Sequence, residues 1–445
     1  MTHEPRPFTF AEYERRRIPA GRPTDADLRL TDRLLSRDSD PRIRVRWLAN
    51  GEVEVETSSW VGVVRFSSLV IRVVPKLVGD SLNVIRMIDY ASSTDSIRPF
   101  QDPHADPDRE DLFDLICRLM VAAADDLVRD GLLRDYRLVE DDLPLLRGRL
   151  LHREQFLRRF GQMNRFECRF DEFDGDNAEN QLVAAALTRL SARARESKVR
   201  SAGRRLAHLF DEVCRPHTAD ADWYDRTITY DRRNFRYQRA HGLAKLVLRG
   251  LSIDDMFDAD AGIASAFMID MNPLFEAFVT RLVEEALEGT ALRPSSQERN
   301  GAVIRDEATG KTYSTIRPDL VIRTPTGDRS VPVDVKYKLY DQKRLSTADI
   351  YQAFFYAFAF SGEQDRRGGI IYPVQHTKSG PALSIKRIDG ALAARITGAG
   401  LDLPATLDAL SDTRRTALFT DVRRLVEDVT GLAADARSSI DSLAG

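Results

Sequence analysis

From residue 43 to residue 76 apolar and polar side chains alternate, through IRVRWLA, EVEVETSSWVGVVRF and LVIRVVPK. A period of two is the pattern of half-buried β-strands. Asn50-Gly51 separates the first two runs, and because both residues accept a positive φ a tight hairpin is expected there. Residues 40–78 therefore read as a β-rich module of several antiparallel strands, closed by Pro75, with Trp60 and its valine neighbours in the sheet core. The period then changes. Residues 112–128 place apolar side chains three and four apart and stop at Asp130-Gly131, which predicts an amphipathic helix. Residues 177–193, 201–214 and 237–251 repeat that pattern, and between the first two helices lie the basic turn Arg147-Gly148-Arg149 and a strand-like stretch over 166–173.

A third region begins near Met271. Asn272 is placed to cap a helix starting at Pro273, with Leu274, Phe275, Phe278, Val279, Leu282, Val283 and Ala286 on one face and Glu276 on its flank. Strand-like runs follow over 301–306, 311–324 and 330–340, Ser346 caps a helix carrying Gln352 and Tyr356, and GGIIYPV and LSIKRI supply further strands. A helical stretch over 405–429 closes the pattern. At 445 residues the chain is long enough for about two to four domains. The expectation is an α+β multidomain protein: a β-rich module over 1–100, a mainly helical region over 101–255, and an α/β domain with a mixed sheet over 256–445.

Composition narrows the chemistry. With 42% hydrophobic and 30% charged residues the chain is globular, and no apolar run approaches membrane-spanning length. The first residues carry both charge signs and no continuous apolar core, so a cytoplasmic location is expected. Cys117, Cys168 and Cys214 lie far apart, which fits reduced structural thiols better than a disulfide framework, and the seven histidines show no HxH or HxxxH pairing that would hold zinc. A net charge of −3 argues against a surface that grips nucleic acid everywhere. Residues 291–345 nevertheless hold 11 basic and 7 acidic residues, a local balance of +4, with Lys338, Lys343 and Arg344 close to the candidate site.

That site is RPDLVIRTPTGDRSVPVDVKYK, residues 317–338. Asp319 heads one apolar run, and Asp334 and Lys336 lie inside a second, across a Gly-Asp turn. Two carboxylates on adjacent strands can share a hard divalent cation, because Mg²⁺ takes oxygen ligands and keeps positions for water and a phosphate. Lys336, two residues after Asp334, points to the same strand face and can orient a water or offset charge on a phosphate. This is the layout of a metal-dependent phosphodiesterase site.

Glu276 on a helix, Pro318-Asp319, Asp334-Val335-Lys336 and the Gln352, Tyr356 pair, in that order, resemble the PD-(D/E)XK nuclease superfamily with its QxxxY element. More narrowly, SSWVGVVRFSSLVIRVVPKL, DGLLRDYRLVEDDLPLLRGRL, CRFDEFDGDNAENQLV, NPLFEAFV, RPDLVI, VDVKYK and DIYQAFFYA resemble the McrC family, the nuclease subunits of McrBC modification-dependent restriction systems. The resemblance implies a Mg²⁺-dependent endonuclease, with Mn²⁺ as an alternative metal, acting against foreign DNA that carries modified cytosine such as 5-methylcytosine. It implies Asp319, Asp334, the Val335 carbonyl and Glu276 as metal ligands, Lys336 as the residue that positions the nucleophile, and Gln352 and Tyr356 as supports. It further implies a McrB-like AAA+ GTPase ring as partner, contacted by the N-terminal β module and stimulated by this chain, GTP acting only through that partner, and pairing of two nuclease domains in the complex. The sequence has no GxxxxGK[ST] loop of its own, in keeping with a motor on another chain. An assembly factor that only activates the motor, and a free-standing repair nuclease of the same superfamily, are the alternative readings.

Overall fold

The computed structural model describes residues 5–35, 41–92, 112–161, 164–194, 196–250, 265–340, 343–362, 365–375, 379–410 and 414–433. The chain divides into two compact units, one built from Met1–Glu110 with Gly262–Gly445 and the other from Asp111–Ala261.

In the first unit, β1 (Arg6–Ala11) and β2 (Arg15–Pro19) precede α1 (Asp25–Leu34), which starts at a capping box between Thr24 and Asp27. β3 (Ile43–Trp47) and β4 (Glu52–Thr57) form the hairpin expected at Asn50-Gly51, where Gly51 takes a φ of 81°. β2 joins β4, giving the order β2-β4-β3. β5 (Trp60–Arg65) and β6 (Leu69–Val74) make a second hairpin, β1 lies parallel to β6, and α2 (Ser81–Ser92) follows. Trp60 is only half-buried, its ring under the Arg42 guanidinium at 5.0 Å, so the expectation that it sits in the sheet core is corrected.

The second unit contains α3 (Leu112–Arg129), β7 (Asp135–Leu143), β8 (Arg149–Leu150), α4 (His152–Arg159), β9 (Phe166–Asp174), α5 (Ala178–Arg193), α6 (Ser197–Asp211), α7 (Ala221–Thr227) and α8 (Gln238–Gly250). Leu119, Leu182, Val183, Leu187, Leu206 and Leu248 are buried among its helices, as the apolar spacing predicts. Gly131 ends the α3 segment with a φ of 85°. β7, whose sequence is mostly polar, pairs with β9 in a three-stranded sheet. Cys117, Cys168 and Cys214 are buried thiols. Arg147 lies over the Phe170 ring at 4.0 Å and pairs with Glu172 at 3.3 Å, and Arg149 is exposed on β8.

The first unit resumes with β10 (Ser265–Asp270), which pairs antiparallel with β5 and completes the sheet β1-β6-β5-β10. α9 (Met271–Leu287) follows directly. Its cap is Asp270, whose carboxylate accepts from the Asn272 backbone N–H, so the expected Asn272 cap is corrected by two residues. Then come β11 (Arg293–Ser296), β12 (Asn300–Arg305), β13 (Thr312–Ile316), β14 (Leu320–Arg323), β15 (Ser330–Val335), α10 (Thr347–Phe360), β16 (Arg367–Val374), β17 (Ser379–Lys386), β18 (Leu392–Asp402), α11 (Leu403–Leu410) and α12 (Arg415–Thr430). The mixed sheet runs β11-β14-β15-β16-β18-β17; β15, β16 and β18 are mutually parallel and the remaining pairs antiparallel.

Two glycines show how this sheet is covered. A Cβ at Gly368 would meet the Ala353 carbonyl of α10 at 2.9 Å, and one at Gly369 would meet Val429 of α12 at 2.1 Å. Successive strand residues face opposite sides, so α10 covers one face and α12 the other. Ala353, Ala357, Ile370, Tyr372, Val374 and Ile396 form the core under α10. Among the described residues no helix is long and apolar enough to cross a membrane.

Candidate active site

The run 311–324 is not one strand. It breaks at Arg317-Pro318-Asp319, with β13 in a two-stranded sheet with β12 and β14 belonging to the mixed sheet. Proline has no N–H for a ladder, which fits a break at that point. Asp319 therefore lies in the link just before β14, a correction to its expected place on the strand. Leu320 pairs with Val333, and one further step of that register sets Asp319 opposite Asp334. Asp334 pairs with Ile370, so Asp334 and, two residues on, Lys336 face the side that α10 covers.

Asp334 is 1% exposed. Lys336 Nζ stands 2.9 Å from its Oδ2, and that oxygen is buried with no hydrogen-bond donor aligned on it. The Val335 N–H donates to Asp319 Oδ2 at 2.6 Å, and the Lys336 N–H donates to the Ile371 carbonyl at 2.9 Å. Burial, then the charge of Asp334, then that of Glu276 push the Asp319 carboxyl up to about 8. Burial also raises Asp334, while Lys336 acts against that rise. Burial alone would lower Lys336, but Asp334 holds its ammonium above the ordinary lysine value. A buried carboxyl and a half-buried one side by side cannot both ionise cheaply, so they titrate as a pair.

The structure places the other expected residues around this pair. Glu276, half-buried on α9, accepts from Gln297 Nε2 at 2.8 Å. Gln352 Nε2 donates to the Tyr356 hydroxyl at 3.0 Å, and that hydroxyl donates to the Arg317 carbonyl at 3.2 Å, so both brace the link carrying Asp319. Burial raises the Tyr356 phenol, and the charges of Asp334 and Asp319 add to it. Lys338 is taken up by Asp349 at 2.8 Å, whereas Lys343 and Arg344 are exposed.

Sequence reasoning missed two residues here. Gln297 holds Glu276 from a left-handed conformation, φ 49°, and its own N–H donates to the Asp319 carbonyl at 3.0 Å. Nothing in SSQE marks it. Asp349, 4% exposed, accepts from Lys338, from Tyr340 and from Ser346 Oγ at 2.7 Å, and its charge acts on Asp334 and Lys336. Its spacing of three from the Ser346 cap was a legible signal.

Whether these groups suit a metal turns on the donors. Among the described residues no three His, Cys, Asp or Glu side chains are gathered to hold an ion. Asp319 and Asp334 fit a hard divalent cation as a pair: both offer oxygen, and a bound cation would relieve their mutual repulsion. Glu276 would join only by leaving Gln297 or by acting through water.

Among curated proteins none matches the chain. A refined half-complex of Thermococcus gammatolerans McrB AAA+ hexamers with bound McrC is similar over 94% of this chain and 100% of that one, at 18% identity and a TM-score of 0.54, a likeness of fold. A second Thermococcus gammatolerans McrBC complex matches 63% of this chain and 88% of that one at 22% identity, with a TM-score of 0.43. The family model described as McrBC 5-methylcytosine restriction system component matches residues 55–373, well over half of the sequence. The chain belongs to the McrBC restriction system component family.

Proposed function

We propose that this chain is the DNA-cutting subunit of a GTP-dependent, modification-directed restriction complex, and that its mixed-sheet domain is a PD-(D/E)XK nuclease. The observation that carries the reading is the buried Asp334 beside the half-buried Asp319, with the Lys336 ammonium 2.9 Å from Asp334. Membership of a restriction-system family supports double-stranded DNA bearing modified cytosine as the substrate. The McrC chain bound to McrB AAA+ hexamers supports a McrB-like GTPase ring as the partner, which this chain would stimulate. Pairing of two nuclease domains would let one complex cut both strands.

Asp319 and Asp334 would hold Mg²⁺ or Mn²⁺, with the Val335 carbonyl and Glu276 completing the shell. A bound divalent cation lowers the pKa of coordinated water and offsets charge on the phosphate. Lys336 orients the attacking water and neutralises charge building on a non-bridging phosphate oxygen. Tyr356 and Gln352 keep the Asp319 link in place, and Lys343 and Arg344 are free to meet backbone phosphates.

The test incubates the purified protein with Mg²⁺ and methylated or unmethylated plasmid, with and without the ring partner and GTP, beside Asp334→Ala. Cleavage should require partner, GTP and methylation and vanish in the variant, while stimulation of GTP hydrolysis persists. Cutting that survives Asp334→Ala removes the site assignment. Partner-independent cutting indicates a free-standing nuclease, and stimulation without any cutting an activator only.

A further inference from the structure

We infer that Glu12 and Tyr13, in the turn between β1 and β2, are positioning residues for Lys336, an inference that rests on the nuclease reading for its effect on cleavage. The ladder of β15 against β16 ends at Lys336, whose N–H bonds the Ile371 carbonyl at 2.9 Å. Beyond it the backbone turns tightly on itself, with Lys338 N–H donating to the Lys336 carbonyl at 3.0 Å and Tyr340 N–H to the Lys338 carbonyl at 2.8 Å. The N-terminal turn grips the chain between ladder and turns. The Tyr337 hydroxyl donates to Glu12 Oε2 at 2.9 Å, and the Tyr13 hydroxyl donates to the Tyr337 carbonyl at 2.7 Å. One residue after Lys336 is thus held by both side chain and backbone.

The turn is built at a cost. Glu12 is 1% exposed; its Oε2 also takes the Lys76 N–H at 2.7 Å, but its Oε1 is buried with no hydrogen-bond partner. Tyr13 takes a φ of 58°, unfavourable for a residue with a β-carbon. Tyr337 is 1% exposed against Phe275 of α9, with ring centroids 5.6 Å apart. The Tyr337 ring turns to Phe275 of α9, so anchoring Tyr337 by its hydroxyl and carbonyl fixes the backbone from which the Lys336 side chain leaves. A lysine carries four rotatable side-chain bonds, and a small shift of its backbone is enough to lose a reactive geometry.

The experiment uses the full chain with its GTPase ring partner, GTP, Mg²⁺ and methylated DNA. The double variant Tyr13→Phe, Tyr337→Phe removes both anchoring hydroxyls. It should lower kcat for cleavage about tenfold or more, with the KM for DNA and the stimulation of GTP hydrolysis unchanged. Val53→Ala in β4, matched in melting loss, should keep wild-type kcat. Glu12→Gln retains an acceptor for Tyr337 and should cut normally, whereas Glu12→Leu should not. Hydrogen exchange of the Lys336 amide should quicken in the double variant while the β5 and β6 amides stay unchanged. Equal losses of kcat in the double variant and Val53→Ala, or an unchanged Lys336 amide, overturn the inference. Absence of cutting by the wild type, or cutting that survives Asp334→Ala, overturns the nuclease reading instead, and the exchange measurement still decides the positioning.

Discussion

Replacing Asp319 with asparagine removes the half-buried acid beside Asp334 and isolates its effect on stability. In the folded chain burial, then Asp334 and Glu276, push this carboxyl up to about 8, whereas in an unfolded chain an aspartate titrates near about 4. The folded state therefore holds the proton more tightly. Stability from this group is complete below the unfolded value and is lost as pH rises towards the folded one, at no more than about 1.4 kcal/mol per pH unit. Between pH 5 and pH 7 the loss has a ceiling of about 3 kcal/mol, and for domains of a few hundred residues each kcal/mol shifts the midpoint by about 2–4 °C. The Val335 N–H at 2.6 Å favours the carboxylate and limits how far burial and the neighbouring charges raise this group. Glu12, raised to about 7 mainly by burial, contributes with the same sign. The readout is accordingly the difference in calorimetric midpoint between wild type and Asp319→Asn, in EDTA, from pH 5 to pH 8. The wild type should lose several degrees relative to the variant as pH rises. Mg²⁺ or Mn²⁺ at about a hundred times its Kd should restore about 2.7 kcal/mol to the wild type at pH 8, and less to Asp319→Asn. A difference that does not change with pH refutes the raised Asp319 carboxyl, and equal metal shifts refute Asp319 as a ligand.

Three further outcomes follow from the same geometry. Gly369→Ala sets a methyl 2.1 Å from Val429 and 3.1 Å from Val333, forcing α12 off β16, and should destabilise by about 1–3 kcal/mol in thermal melts; an unchanged midpoint contradicts the close approach. Gln297→Asn suits the left-handed backbone better but is too short to hold Glu276, so stability should stay within about 1 kcal/mol of wild type while cleavage falls about tenfold. Parallel losses would mean that Gln297 is only structural. Tyr356→Phe removes the hydroxyl between Gln352 and the Arg317 carbonyl and should cost about 1 kcal/mol and lower kcat about tenfold, leaving GTPase stimulation intact; unaltered cleavage would confine Tyr356 to packing.

What could be read along the chain was whatever local chemistry determines. The β3–β4 hairpin follows from Asn50-Gly51, α10 from the Ser346 cap, and α9 from Phe275, Phe278, Leu282 and Ala286 on one face. Pairings between distant segments left no local mark. β1 lies against β6 in parallel, and β10 returns to β5 from about two hundred residues away, so the first sheet is completed by chain that follows the whole second unit. The Asn272 and Asp270 caps differ for a related reason: both side chains are capable caps, and the choice is made by where β10 ends against β5, not by composition.

The candidate site divides along the same line. Asp334 and Lys336 were visible because a strand puts residues i and i+2 on one face, and β15 is a strand whichever partners it finds. Asp319 was visible as a residue but not as a position, since its place opposite Asp334 depends on Pro318 breaking the run and on β14 leaving the β13 ribbon for the mixed sheet. The groups that hold this core in place come from further off: Gln297 from the loop after β11, Asp349 from the start of α10, Glu12 and Tyr13 from the opposite end of the sequence. Each is polar, each is fixed by long-range packing, and two of them, Gln297 and Tyr13, take a backbone conformation that local preference opposes. Residues that would do chemistry were thus legible through their spacing. Residues that aim them become legible only once the fold has determined which strain and which buried charge it must keep.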